Sequence, residues 1–313
     1  MRIVFMGTPD FAVPSLRALV EAGFEVPFVV SRPDRPRGRG QQKSASPVKI
    51  AAQELGIPVY HPVKLDDSFI EQLKEQKIDL GVVVAFGRIL PLPLLESLPL
   101  GWVNVHASLL PAYRGAAPIH RAVIAGEKET GITTMVMSEG LDEGDMLLQE
   151  KIAIHPDDTV GHVHDKLALV GADLLVKTLQ KWEQGELKRI PQNHEEATYA
   201  SMLHREDEKI QWHYNAETIH NQVRGLTPWP GAYMEDQGKV VKVVKGRLRI
   251  EGLHLATEEG QLGEIVAIDG DEVAIATGKG LYWLQELRPS GSKTMTASAY
   301  VRGRRISKGY CFT

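Results

Sequence analysis

The chain carries a single cysteine, Cys311. It can therefore form no internal disulfide and no Cys-based metal cluster, which suits a reducing compartment. No apolar run approaches the roughly 20 residues needed to span a bilayer. Met1 runs straight into the apolar segment "RIVFM" without a basic-then-apolar leader, so a cytoplasmic protein with no membrane partner is expected. The first strand-like segment is not followed by G-x-G-x-x-G, and no Walker phosphate loop occurs. No Ser or Cys sits in a nucleophile-elbow context, and no His/Glu/Asp cluster has metal-ligand spacing. These absences remove dinucleotide, P-loop, covalent-nucleophile and metal chemistry from the expectation.

What is present is a chain of 313 residues, long enough for two domains, with 43% hydrophobic residues and a net charge of −4. That mildly acidic total hides three basic clusters. Arg32 to Lys49 holds six basic residues and one acidic, Lys239 to Arg249 holds five basic residues, and Arg302 to Lys308 holds four. Focused positive surfaces of this kind suit phosphates.

The first half alternates short apolar runs with amphipathic segments: "RIVFM", a helix over Ala12 to Gly23, "VPFVV", a helix ending near Gly56, "LGVVVA" and "WVNVH". Such alternation predicts a parallel-rich α/β sheet of Rossmann-like type, covered by helices on both faces. Ligands of such sheets sit beyond the carboxyl ends of the strands, and Gly7-Thr8-Pro9 is a candidate for that rim, with Thr8 or Asp10 expected to cap the helix that follows. Thr159 to Gln184 reads as a long amphipathic helix, and residues 191–204 as a polar linker. After a short helix over Asn215 to Arg224, the glycine-punctuated alternation of "KVVKVVKGRLRIEGLHL", "GEIVAIDGDEVAIATGKG" and "LYWLQEL" predicts a small antiparallel barrel within residues 205–313.

"GWVNVHASLLPAYRGAAP" ends a buried strand on two polar side chains. Residues i and i+2 of a strand project to one face, so Asn104 and His106 point together while Val103 and Val105 face the other way. An amide beside an imidazole suits a tetrahedral oxyanion, since the amide donates and the imidazole donates or shuttles a proton. Asp142, in the Gly-bounded "EGLDEGD", supplies a carboxylate to orient the imidazole or to take a proton. With no covalent nucleophile in sight, these three point to direct transfer of a carbonyl group to a substrate nucleophile.

The run "NVHASLLPAYRGAAPIHRAVIAGEKETGITTMVMSEGLDEGDM" resembles the methionyl-tRNA formyltransferases, within the wider folate-dependent formyltransferase superfamily. So do "GTPDFAVPSL", "RPDRPRGRG" with "SPVK", and "GLTPWPGAY", and the resemblance covers essentially the whole chain. It implies a catalytic domain over 1–190 that binds 10-formyltetrahydrofolate as co-substrate, and an OB-like domain over 205–313 that helps hold initiator methionyl-tRNA. By the same resemblance Asn104, His106 and Asp142 are catalytic, and Ser108, Leu109, Leu110 and Pro111 lie against the folate. Arg35, Arg37, Arg39 and Lys43 belong to a loop, read as too irregular for helix or strand, that reaches the tRNA acceptor stem. A monomer without metal is expected. Trp229, between two prolines, is expected to be a packing anchor. Glycinamide ribonucleotide formyltransferases and formyltetrahydrofolate hydrolases share the three polar residues but need neither the arginine loop nor a C-terminal barrel. Sugar-amine formyltransferases are a closer rival, since they too can carry a C-terminal extension, but they have no use for three basic clusters. A non-catalytic RNA-binding protein would have no need of the intact Asn/His/Asp set.

Overall fold

The computed structural model describes residues 1–37, 42–249 and 260–313. In chain order the first half consists of β1 (Arg2–Gly7), α1 (Val13–Glu21), β2 (Glu25–Val30), β3 (Arg35–Arg37), β4 (Gln42–Ser44), α2 (Pro47–Glu54), β5 (Val59–Tyr60), α3 (Asp67–Glu75), β6 (Leu80–Val84), α4 (Leu92–Leu95) and β7 (Trp102–His106). There follow β8 (Arg114–Gly115), α5 (Pro118–Ala125), β9 (Glu129–Val136), β10 (Met146–Ala153), α6 (Val160–Glu183) and β11 (Tyr199–Ala200). The remainder holds α7 (Arg205–Glu208), α8 (Ala216–Gly225), β12 (Tyr233–Asp236), β13 (Lys239–Arg247), β14 (Ile265–Asp269), β15 (Glu272–Ala276), β16 (Leu281–Pro289), β17 (Met295–Thr296) and α9 (Ala297–Gly303).

Two compact units result. One comprises residues 1–118, 129–153 and 164–200; the other comprises 119–128, 154–163 and 201–313. The expected linker is therefore not a bare connector, because residues 191–200 fold with the first unit and end in β11, which pairs with β8.

The first unit is built on a seven-stranded sheet in the order β10-β9-β7-β6-β1-β2-β5. The five strands from β7 to β5 run parallel, whereas β9 and β10 are antiparallel additions at one edge. The chain winds outward from β1 through β2 and β5, then returns to β1's other side with β6. The order thus reverses between β1 and β6, and the carboxyl end of β7 lies one strand away. Val4, Met6, Val83 and Trp102 from the strands pack with Phe69, Leu73 and Leu94 from the helices, and the Trp102 indole donates to the Leu94 carbonyl at 2.8 Å. The edge strand β10 escaped the sequence reading because "MLLQEKIA" buries only Leu147 fully and shows no clean alternation.

Two expectations for this unit are corrected. Neither Thr8 nor Asp10 caps the helix. Thr8 Oγ1 donates instead to the Phe86 carbonyl at 3.2 Å, tying the β1 and β6 loops together, and Asp10 accepts from the adjacent Phe11 N–H and stands 3.9 Å from His164 Nε2. The arginine loop is not wholly irregular, because β3 and β4 pair antiparallel with Arg35 opposite Ser44 and Pro36 opposite Lys43. Proline favours extended backbone in the residue before it, and three residues a side suffice for a short ladder. Arg39 lies outside the described residues.

In the second unit the strands form a six-stranded antiparallel sheet, β12-β13-β16-β15-β14 with β17 on β16, as the alternation led one to expect. Val241, Val243, Ile275 and Leu284 of the sheet bury against Ile219 and Val223 of α8 and Tyr300 and Val301 of α9. Asp236 is buried and accepts from the Tyr300 and Tyr310 hydroxyls and from Arg304 Nε at 2.9 Å. Trp229 corrects its expectation: it is 43% exposed, with its ring edge-on to His120 at 6.3 Å. The basic clusters are partly neutralised within the protein. Arg247 and Arg249 pair with Glu272, and Arg304 pairs with Asp236.

Candidate active site

Asn104 lies at the middle and His106 at the end of β7, and both reach Asp142 from the turn between β9 and β10. Asn104 Nδ2 lies 3.5 Å from Asp142 Oδ1, and His106 Nδ1 lies 3.6 Å from Asp142 Oδ2. The second carboxylate oxygen also accepts the Gly115 N–H at 2.8 Å. Strand periodicity thus delivered the two β7 side chains to one face, and the β9–β10 turn brought the carboxylate to them.

Partner chemistry fixes the orientation of these groups. The Tyr113 carbonyl, 3.0 Å from His106 Nε2, can only accept, so Nε2 carries a hydrogen and Nδ1 is the ring atom that faces Asp142. A carboxylate likewise only accepts, so the Asn104 amide turns its NH2 toward Asp142 and keeps a second N–H for another acceptor. Both of these contacts to the carboxylate are long, at 3.5 and 3.6 Å.

The backbone around the site is held in conformations that few residues adopt. Tyr113 has φ +59° and Asp142 has φ +52°, a left-handed state that costs a residue with a Cβ about 1 kcal/mol. Gly115 has φ +116°, and a Cβ there would lie 2.8 Å from the Ala200 carbonyl oxygen, so only glycine fits this close approach. A Cβ on Gly144 would meet the Val136 carbonyl oxygen at 1.9 Å, which packs the Asp142 turn directly against the end of β9.

The "SLLP" loop is pinned from beneath. Thr133 Oγ1 donates to the Ser108 carbonyl and accepts from the Leu110 N–H, while Gln149 Nε2 donates to the Leu110 carbonyl at 2.9 Å. Ser108 is buried with its hydroxyl donating to the Ala112 carbonyl, and Leu110 is buried as well. Leu109 and Pro111 are half-buried and are the members of the loop with surface to offer. Of the arginine-loop residues, Arg35, Arg37 and Lys43 are placed by their backbone in β3 and β4.

Sequence reasoning missed two side chains beside the site. Arg114 and Gln192 are 1% and 6% exposed, and Gln192 Nε2 donates to the carbonyls of Asp142 at 2.8 Å and Gly144 at 2.7 Å. Gln192 sits in a polar segment without periodicity, where nothing in one sequence distinguishes a buried glutamine from a solvated one.

Residues 1–179 match the Formyl transferase family, and residues 202–305 match its C-terminal domain, described as Formyl transferase, C-terminal domain. The methionyl-tRNA formyltransferase of Heliobacterium modesticaldum is 63% identical over 315 residues, covering all of both chains. That of Pelotomaculum thermopropionicum is 50% identical, covering 99% of this chain and 97% of the other. Among solved structures, a sugar 3N-formyl transferase crystallised with dTDP and 5-N-formyl-THF aligns with a TM-score of 0.65 at 20% identity, over 94% of this chain and 99% of that one. A glycinamide ribonucleotide transformylase from Symbiobacterium toebii aligns with a TM-score of 0.52 at 20% identity, over 62% of this chain and 94% of that one.

Proposed function

This chain belongs to the Formyl transferase family, and from that premise we propose that it transfers the formyl group of 10-formyltetrahydrofolate to the α-amino group of methionyl initiator tRNA. The observation that carries the reading is the convergence of an amide, an imidazole and a carboxylate at the carboxyl end of β7. The folate supplies a formyl carbon bonded to nitrogen. The α-nitrogen of the methionyl ester forms a bond to that carbon, the bond to the folate nitrogen breaks, and one proton passes from the incoming amine to the departing nitrogen.

The residues divide this work. Asn104 offers its second N–H to the formyl oxygen as negative charge gathers there. One such donor, fixed in advance, is worth about 3 to 4 kcal/mol in the transition state. His106 moves the proton at Nδ1, because its Nε2–H is committed to Tyr113. A proton taken up at Nδ1 lands beside the Asp142 carboxylate, which holds the ring in that orientation and steadies its positive charge. The donor set fits an oxyanion formed at a carbonyl and requires no covalent enzyme intermediate.

The loop of Ser108, Leu109, Leu110 and Pro111 forms one wall for the folate, with the half-buried Leu109 and Pro111 offering the contact surface. Arg35, Arg37, Arg39 and Lys43 meet phosphates of the tRNA acceptor stem, with residues 1–190 catalytic, 191–204 leading out of that domain with Gln192 bonded to the Asp142 turn, and 205–313 helping to hold the tRNA. The enzyme acts as a monomer in the cytoplasm beside bacterial-type translation; among the described residues no helix is long and apolar enough to cross a membrane.

The test is formyl transfer to charged initiator and charged elongator tRNA, with and without the folate donor. Transfer that needs the folate and prefers the initiator supports the reading. Folate-independent transfer, or none with either tRNA, sinks it.

A further inference from the structure

Asp142 is gripped at both ends. Its carboxylate accepts the Gly115 N–H at 2.8 Å, and its backbone carbonyl accepts from Gln192 Nε2 at 2.8 Å. Gly115 follows Arg114 in β8, and Arg114 donates to Gln192 Oε1 from Nε at 3.0 Å and from Nη2 at 2.7 Å. The four residues therefore close a ring: Asp142 carbonyl, Gln192 amide, Arg114 guanidinium, Gly115 amide, Asp142 carboxylate.

Every hydrogen-bonding position on Gln192 is used. Its two N–H bonds go to the Asp142 and Gly144 carbonyls, and its oxygen takes both Arg114 bonds. A guanidinium only donates and a carbonyl only accepts, so the amide has one permitted orientation. The remaining guanidinium nitrogen of Arg114 meets His194 Nδ1 at 3.3 Å and Glu143 Oε2 at 3.9 Å. Glu143 is the residue after Asp142, so Arg114 draws on the same turn twice.

We propose that Gln192, held by Arg114, is a positioning residue for the transfer step, setting the left-handed Asp142 backbone and thereby the spacing of its carboxylate from His106 and Asn104. Neither Gln192 nor Arg114 touches the reacting atoms in this account, which rests on the function proposed above. The Asp142 carboxylate is turned to Gly115, His106 and Asn104, so hydrogen bonds from outside the turn bear on its left-handed backbone at φ +52°. The ring supplies the hold. It is anchored to the loop bearing the His106 partner Tyr113, whose N–H in turn donates to Thr198 Oγ1 at 2.8 Å.

The decisive variant is Gln192→Glu. A carboxylate still accepts from Arg114, so the buried cation keeps its partner and the fold is retained, but it cannot donate to the two carbonyls, and the turn is released. Displacement of a catalytic group by an ångström costs up to about 100-fold. The expected result is a kcat lower by about 10- to 100-fold with KM for folate and for charged tRNA little changed. Arg114→Lys, which keeps the charge but holds the amide oxygen by one bond, is expected to fall between wild type and Gln192→Glu. Should Gln192→Glu not fold, Arg114→Lys carries the comparison with the same readout. Wild-type kcat in the folded variant overturns the proposal, as does a loss that appears equally in both KM values. His106→Ala is run alongside. If it is inert while Gln192→Glu is fully active, the positioning role alone falls. If His106→Ala turns over like wild type, the site reading falls and this proposal with it.

Discussion

Asn104 and Asp142, 38 residues apart in the chain, meet at 3.5 Å, and the same carboxylate stands 3.6 Å from the ring of His106. A strand end and a turn from the far edge of the sheet thus share one acid.

Replacing either β7 side chain should strike turnover and spare binding. Asn104→Ala is expected to lower kcat by about 100- to 1,000-fold, as loss of one preset oxyanion donor does. His106→Ala should cost at least as much, with tRNA affinity measured by gel shift near wild type. A His106→Ala enzyme with normal turnover would remove the imidazole from the mechanism.

Asp142→Asn keeps the shape of the carboxylate but removes its charge and places an NH2 or a neutral oxygen before the Gly115 N–H. Turnover is expected to fall by about 100-fold or more, while thermal stability changes little. If the variant loses stability in proportion to activity, Asp142 is a structural turn residue and no more.

For the arginine loop the discriminating quantity is a ratio. Arg37→Ala and Arg39→Ala should each raise KM for charged tRNA without a matching rise for folate. Equal effects on both substrates would take the loop away from the tRNA.

Acid stability should track Asp236. Burial opposes its ionisation, yet the hydrogen bonds from Arg304, Tyr300 and Tyr310 prevail and hold its carboxyl below the usual 3.8. A folded value below the unfolded one means the stabilisation is complete above about pH 3.8 and is lost as pH falls through the lower folded value. Asp236→Asn is expected to cost about 1 to 3 kcal/mol at pH 7, with the gap to wild type narrowing below pH 4. Denaturant midpoints at pH 7 and pH 3 check this, and an unchanged gap would count against it.

The sequence discloses what is local. The placement of Asn104 and His106 on one face follows from the two-residue period of a strand, and the Asp142 turn is flagged by its glycines. The antiparallel unit was legible because short apolar pairs such as Val240-Val241 and Val243-Val244 are punctuated by lysines and a glycine. Whatever depends on a distant partner stayed hidden. Gln192 looks like any linker glutamine until Arg114 and the Asp142 carbonyl enclose it. Edge strand β10 lacks a buried face to impose a period. Thr8 looks like a helix cap, but its hydroxyl instead donates to the Phe86 carbonyl beyond the neighbouring strand β6.

The ion pairs of the antiparallel sheet bear on how the second unit would hold a polyanion. A cation contributes to the salt dependence of such binding by trading a small counterion for a phosphate. Arg247 and Arg249 have already made their trade with Glu272, and Arg304 with Asp236. If this unit holds tRNA as proposed, the ions released would be fewer than the basic residues along "KVVKVVKGRLR" and "RGRRISK" suggest, and lysines such as Lys239 and Lys245 would carry the sensitivity to ionic strength.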